Sequence, residues 1–257
     1  MLFIILNMNQ EEISIIEITE IKTKNPIILC GLPDVGLVGV IAVSHIIKSL
    51  NMKEVAYIDS DLFPPIMVFH NGTPTYPLRI YQKEDILAIF SEAALSPESI
   101  YPLARSIVFW AKEKNTSLLI SLGGIGTPNR IDIEIPKVYS ASNMPSVKEI
   151  IKKYEIPIME EGFMVGPYAL IAKYSIHKNI PNLLLLAEAF PNYPDPGAAA
   201  SIINTLNKFI PLNIDVKPLI EKSEEIRLSA RELMKRTVES LKKMGKSQEY
   251  EVPLMYV

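Results

Sequence analysis

Short apolar runs alternate with longer segments whose apolar residues recur every three or four positions, and this pattern holds through most of the chain. "EISIIEI" (12–18) and "PIILCG" (26–31) read as strands, the second ending in a glycine-rich turn. "GLVGVIAVSHIIKSL" (36–50) is apolar on nearly every face and predicts a well-buried helix. "EVAYID" (54–59) is expected as the next parallel strand, completing a βαβ unit. "IMVFHNGTPTYPLRIY" (66–81) predicts a hairpin turning at Asn71-Gly72.

"DILAIFSE" (85–92) is a further strand, and the helix after it can open at Ser96-Pro97 and close at Lys114-Asn115. "SLLISLGG" (117–124) returns as a buried strand. "SVKEIIKKY" and "GPYALIAKYSIHKN" then predict helices, "NLLLLAEAF" a strand and "GAAASIINTLNKFI" a helix. Together these elements predict an α/β fold with a mixed, mostly parallel central sheet flanked by helices.

The pattern changes after "PLNIDVKP". From Pro218 to Met244 there is no further proline or glycine, and Leu219, Ile226 and Leu233 fall at heptad spacing. From Lys217 to Lys246 there are nine Lys or Arg against five Glu, so the other faces are solvated and basic. One long helix is expected, its apolar seam packed on the domain body or on a second copy. The expected division is a core domain over 1–215, a long C-terminal helix over 216–245 and a flexible tail over 246–257.

Composition narrows the functional classes. A hydrophobic fraction of 48% with 21% charged residues is that of a chain with a substantial core. A net charge of -3 leaves no basic footprint for nucleic acid. The single cysteine, Cys30, excludes an internal disulfide framework and suits a reducing compartment. The opening "MLFIILNMNQEE" lacks the positive n-region of a secretory signal, and no run approaches a membrane span. A cytoplasmic protein is expected.

Candidate chemistry is sparse. In "GLPDVGLVG" the glycines Gly31, Gly36 and Gly39 miss the dinucleotide spacing, and Val38, Gly39 and Val40 stand where a P-loop needs its Lys-Ser/Thr. A structural turn is the favoured reading, with nucleotide binding as the alternative. "SLGGIGTPNR" is a second glycine-rich strand exit, where Asn129 or Arg130 could face a small anion; a plain flexible loop is the favoured reading, because no nucleophile or base accompanies it. His45, His70 and His177 show no metal-binding spacing, and Cys30 ends an apolar strand as a buried thiol would. The acidic groups Asp59-Ser60-Asp61 and Glu160-Glu161 form no convincing acid–base pair. No cofactor or metal is expected.

Five stretches occur together in one order: "GLPDVGLVG", "LFPPIMVFHNG", "YPLRIY", "SLGGIGTP" and "LLAEAFPNYPDPGAAA". On these the chain resembles the proteasome assembly chaperone family, in its archaeal members related to the second assembly chaperone of eukaryotes. The resemblance covers about residues 13–240, and "AEAFPNYPDPGAA" is its most specific part. Asp34 departs from it, standing where that family often has a small residue.

The resemblance implies a nucleoside phosphorylase-like domain, a homo-oligomer (here expected as a tetramer) and binding to the α-ring of the core proteasome, while the lack of an acid–base pair leads to the expectation of no enzymatic activity. It also gives the terminus a meaning, because proteasome activators and several assembly factors end in a hydrophobic residue, a tyrosine and any last residue. Met255, Tyr256 and Val257 match that triplet. The terminal carboxylate can pair with a lysine between α subunits, Tyr256 adds an aromatic body with a hydroxyl, and Met255 adds adaptable apolar contact. The expected function is an assembly chaperone or ATP-independent activator that docks these residues. The alternative is a nucleotide- or small-molecule-binding enzyme using the two glycine-rich strand exits.

Overall fold

Residues 13–246 are described by the structure, a computed structural model, and they largely follow the order that the periodicity predicts. The first half runs β1 (Ser14–Glu17), β2 (Ile27–Gly31), α1 (Val38–Ser49), β3 (Lys53–Asp59), β4 (Val68–His70), β5 (Thr73–Thr75), β6 (Leu78–Lys83), β7 (Ile86–Ser91) and α2 (Ile100–Glu113). The second half runs β8 (Leu118–Gly126), β9 (Val138–Ser142), α3 (Pro145–Lys153), α4 (Pro167–Lys178), β10 (Asn182–Ala189) and α5 (Pro196–Phe209). Three helices follow, α6 (Lys217–Glu221), α7 (Ser223–Ser229) and α8 (Arg231–Lys243).

Among the described residues, eight strands form one mixed sheet in the order β1-β3-β6-β7-β2-β8-β10-β9. The central strands β7, β2, β8 and β10 are parallel neighbours, and the pairings outside them are antiparallel. Five strands (β2, β3, β7, β8 and β10) therefore share one direction. Side chains alternate between the two faces. Leu29, Ile120, Leu122, Leu183 and Leu185 face α1 and α5, in a core that also takes in α3. Ile28, Cys30, Leu119, Leu184 and Leu186 face α2 and α4.

Three features differ from the periodicity reading. β3 does run parallel to β2, but β7 and β6 lie between them, so the expected neighbours are separated. The reason is two-faced burial. Leu87 to Phe90 of β7 are buried throughout, whereas Lys53 and Asp59 of β3 are exposed and fit a strand nearer the sheet edge. The short edge strand β9 pairs antiparallel with β10 and has no strong sequence signal. Asn71 and Gly72 do turn the β4–β5 hairpin, both with positive φ, yet β6 lies outside that hairpin in the main sheet.

The expected long helix is three consecutive helices, broken at Lys222 and Ala230. A straight helix over this span would be about 40 Å long. Breaking it lets the seam follow the surface of its own subunit. Leu219, Met234 and Leu241 are buried, and Ile226 and Leu233 pack against the core beneath. α8 ends where Gly245 takes φ 80°, the left-handed position at which helices commonly stop. The tail proposed to follow lies outside the described residues from Ser247 onward.

Candidate functional site

The strand-exit edge gathers both glycine-rich turns. β2 leaves through Gly31, a tight turn at Val35–Leu37 follows, and α1 begins directly behind it. A methyl group on Gly39 would lie 2.0 Å from the Leu122 carbonyl oxygen, and one on Gly124 would lie 2.6 Å from that of Val35. These glycines let α1, β8 and the turn touch backbone to backbone.

Tyr168 of α4 reaches the same turn from the other side of the sheet. Its hydroxyl accepts from the Leu32 N–H at 2.8 Å and donates to the Leu32 carbonyl at 3.0 Å, with the Cys30 carbonyl at 3.3 Å. Burial, then nearby Cys30 and Asp34, hold this hydroxyl well above the ordinary tyrosine range, which suits a structural hydrogen bond.

The second exit is closed by an ion pair. Arg130 Nε donates to Asp195 Oδ2 at 2.8 Å and Nη2 to Oδ1 at 3.0 Å, both residues being buried. Asp195 also caps α5 through the Ala198 N–H at 3.0 Å and accepts from the Phe190 N–H at 3.1 Å. The Arg130 guanidinium lies 5.1 Å from the centre of the Phe190 ring, and that of Arg227 lies 5.8 Å from it. An arginine committed to a buried bidentate partner is not free to receive an anion. Arg130 therefore fastens "SLGGIGTPNR" to "PNYPDPG".

A second buried pair lies at the turn after β2. Lys246 Nζ lies 3.2 Å from Asp34 Oδ1 and donates to the Val165 carbonyl at 2.7 Å. Asp34 thus has a local role: it receives Lys246.

The remaining candidates do not converge. His45 lies 2.7 Å from the Asp215 carbonyl, His70 lies 3.0 Å from Glu92, and the His177 ring stands edge-on to Tyr174. Among the described residues no group of three or more His, Cys, Asp or Glu could hold a metal ion. No helix there is long and apolar enough to cross a membrane. Asp59 accepts from the Ser60 N–H within its own turn, while Glu160 and Glu161 are exposed. A groove of about 570 Å³ lies between α1 and the C-terminal helices, with Lys48, Glu92, Lys222 and Glu225 on its lining.

Cys30 is wholly buried, and burial pushes its thiol pKa far up. Iodoacetamide at pH 8 is expected to leave Cys30 unmodified in the folded protein and to alkylate it after unfolding, as read by mass. Rapid alkylation without unfolding would show that the thiol is accessible and reactive.

Met255, Tyr256 and Val257 lie outside the described residues. Sequence reasoning missed Tyr168, Asp195 and Lys246. Of these only Asp195 carried a local signal, as a cap residue followed by Pro196 at the first helical position.

The sequence model of the PAC2 family matches residues 28–234. An uncharacterized protein of Methanocaldococcus jannaschii is 33% identical over 247 residues, 96% of this chain and 99% of its own. The crystal structure of Pyrococcus furiosus PbaA, an archaeal homolog of proteasome-assembly chaperone, superposes with a TM-score of 0.83 at 29% identity. That match covers 89% of this chain and 99% of PbaA. P. furiosus PbaB, an archaeal proteasome activator, shares the fold with a TM-score of 0.73 at 22% identity, over 87% of this chain and 99% of its own. The resemblance carried by the five sequence stretches is borne out.

Proposed function

The chain belongs to the PAC2 family, and from that premise we propose that it is a non-enzymatic proteasome-binding protein, an assembly chaperone or ATP-independent activator. The observation that carries this reading is the likeness to PbaA, at 29% identity over 99% of that chain. The docking element is the terminal triplet Met255, Tyr256 and Val257, inserted into pockets of the α-ring of the core proteasome. Residue chemistry supports it: a carboxylate, an aromatic ring with a hydroxyl and a pliable thioether suit a narrow pocket with a lysine in it.

One such triplet buries few atoms, so it binds feebly alone. Several tails on a homo-oligomer, with a tetramer as the working number, act together through effective concentration. Assembly help and gate opening use the same contacts.

The test is co-purification with the core proteasome and peptide hydrolysis by it, comparing the full chain with one lacking residues 255–257. Truncation is expected to weaken association by more than about tenfold, because each of several weak contacts is lost together. Unchanged binding and unchanged hydrolysis would sink the tail reading.

A further inference from the structure

Single apolar side chains scattered over a surface are ordinary, but several gathered on one face mark a contact. Among the described residues the four most exposed large apolar side chains are Ile131 (82%), Ile135 (78%), Leu228 (71%) and Tyr193 (68%). They stand on three segments at the strand-exit edge: the loop after β8 (127–137), the loop before α5 (190–195) and α7. Phe190, at the start of the second loop, joins the three. Its ring lies 5.1 Å from the Arg130 guanidinium of the first loop and 5.8 Å from that of Arg227 in α7.

These segments are braced. The buried pair of Arg130 with Asp195 ties the two loops together, and Arg130 Nη1 donates to the Ile133 carbonyl between the two isoleucines. α7 has no fully buried residue of its own. The four apolar side chains are therefore held out to water by a fixed frame, an arrangement that favours binding because little order is lost on contact.

We propose that this strand-exit face, centred on Phe190, joins two copies of the chain. The proposal deepens the homo-oligomer part of the functional reading, on which it rests, and does not depend on the terminal triplet. Area supports it. At about 100–150 Å² for each side chain, the four expose on the order of 500 Å² of apolar surface. A standard interface covers about 800 Å² on each partner, and homodimer interfaces are about 65% apolar, which is about 520 Å².

Charge favours a second copy over a charged partner. Arg130 is paired with Asp195, and Arg227 with Glu224 at 2.5 Å, each within one subunit. Two identical faces can close without setting unpaired arginines against each other, whereas an acidic partner would find both already taken. A two-fold contact uses the same patch on both copies, and a neutral apolar centre is complementary to itself. Asp132 and Glu134 are exposed on the first loop and fit the rim, where solvent screens like charges.

Ile131→Glu and Leu228→Glu place a charge in the contact from two different segments. Both positions are exposed, so neither charge is buried within one subunit, and urea unfolding checks that each variant folds. Association of the full-length parent and variants is measured by sedimentation velocity over a range of concentrations. The parent is expected to associate, and each variant to raise the dissociation constant by more than about tenfold, the effect of losing one well-packed anchor. Ile176→Glu, at an exposed position of α4 on the other side of the sheet, should leave association unchanged.

A monomeric parent would sink the homo-oligomer reading and the interface together. An oligomeric parent whose Ile131 and Leu228 variants associate normally would sink the interface alone. Variants that keep their association but no longer co-purify with the core proteasome would also overturn the proposal, since the face would then belong to that partner. Deletion of residues 255–257 is expected to leave association intact, whether or not binding to the core is lost.

Discussion

Asp195→Ala is expected to destabilise the fold by about 4 kcal/mol, the usual cost of removing one partner of a buried ion pair. The carboxylate is fully buried and serves three neighbours at once: Arg130, the Ala198 N–H and the Phe190 N–H. Its loss leaves a guanidinium with 7% exposure holding only the Ile133 carbonyl and a ring face, and it uncaps α5. Loss of a cap by itself costs about 1 kcal/mol, and the two terms overlap because the same oxygens serve both. Domains have total stabilities of about 5–15 kcal/mol, so the change removes a large share.

At about 2–4 °C per kcal/mol for a chain of this size, Tm should fall by about 10–15 °C. Asp195→Asn, which can still cap α5 but lacks the charge, should fall between. A loss below about 1 kcal/mol in urea unfolding of Asp195→Ala would show that the pair contributes little.

Gly39→Ala sets two effects of opposite sign against each other. Helix propensity favours alanine over glycine by about 1 kcal/mol inside a helix such as α1. Packing opposes it, because the added carbon would lie 2.0 Å from the Leu122 carbonyl oxygen and 2.7 Å from the Tyr168 hydroxyl. The first of these is backbone in a central strand and cannot swing aside. α1 would have to retreat from β8 and take its buried residues Val38, Ile41, Ala42 and Val43 with it.

Overpacking of this kind costs about 1–3 kcal/mol and occasionally more, and backbone contact belongs to the upper end. A net loss of about 3 kcal/mol or failure to accumulate folded protein is expected. Gly72→Ala is the control, since no atom lies within 4 Å of its added carbon and only its φ of 79° is strained. It should cost about 1 kcal/mol. Equal stability of the parent and Gly39→Ala would mean that α1 sits less closely on β8 than the structure shows.

Much of the fold could be read locally. The uninterrupted apolar run of "PIILCG" and the alternation of strands with helical segments identified β2, α1, β8, β10 and α5 within a residue or two. Asn71-Gly72 marked the β4–β5 turn. Close backbone packing at the first glycine turn was legible only in part, from Gly31 and Gly39 at a strand exit and in a helix.

Other features had no local signal. "VYSAS" is too short and too mixed to announce the edge strand β9, which exists because β10 offers an unpaired side. The heptad seam from Leu219 to Leu233 fits a straight helix as well as three bent ones, since it reports which face is apolar and not how the surface beneath it curves. That Arg130 fastens the β8 exit to Asp195 had no local signal, because its partner is 65 residues away.

By itself, then, the sequence determined the element types, the α/β class and the chemistry available at residues 255–257, because periodicity and residue type act over a few neighbouring positions. Tertiary structure decided that β7 and β6 separate β3 from β2, that Arg130 is spent on Asp195, and that Asp34 receives Lys246. Each of these depends on which distant segment excludes water from a given face, and a buried charge acquires its partner only when the chain topology brings one to it.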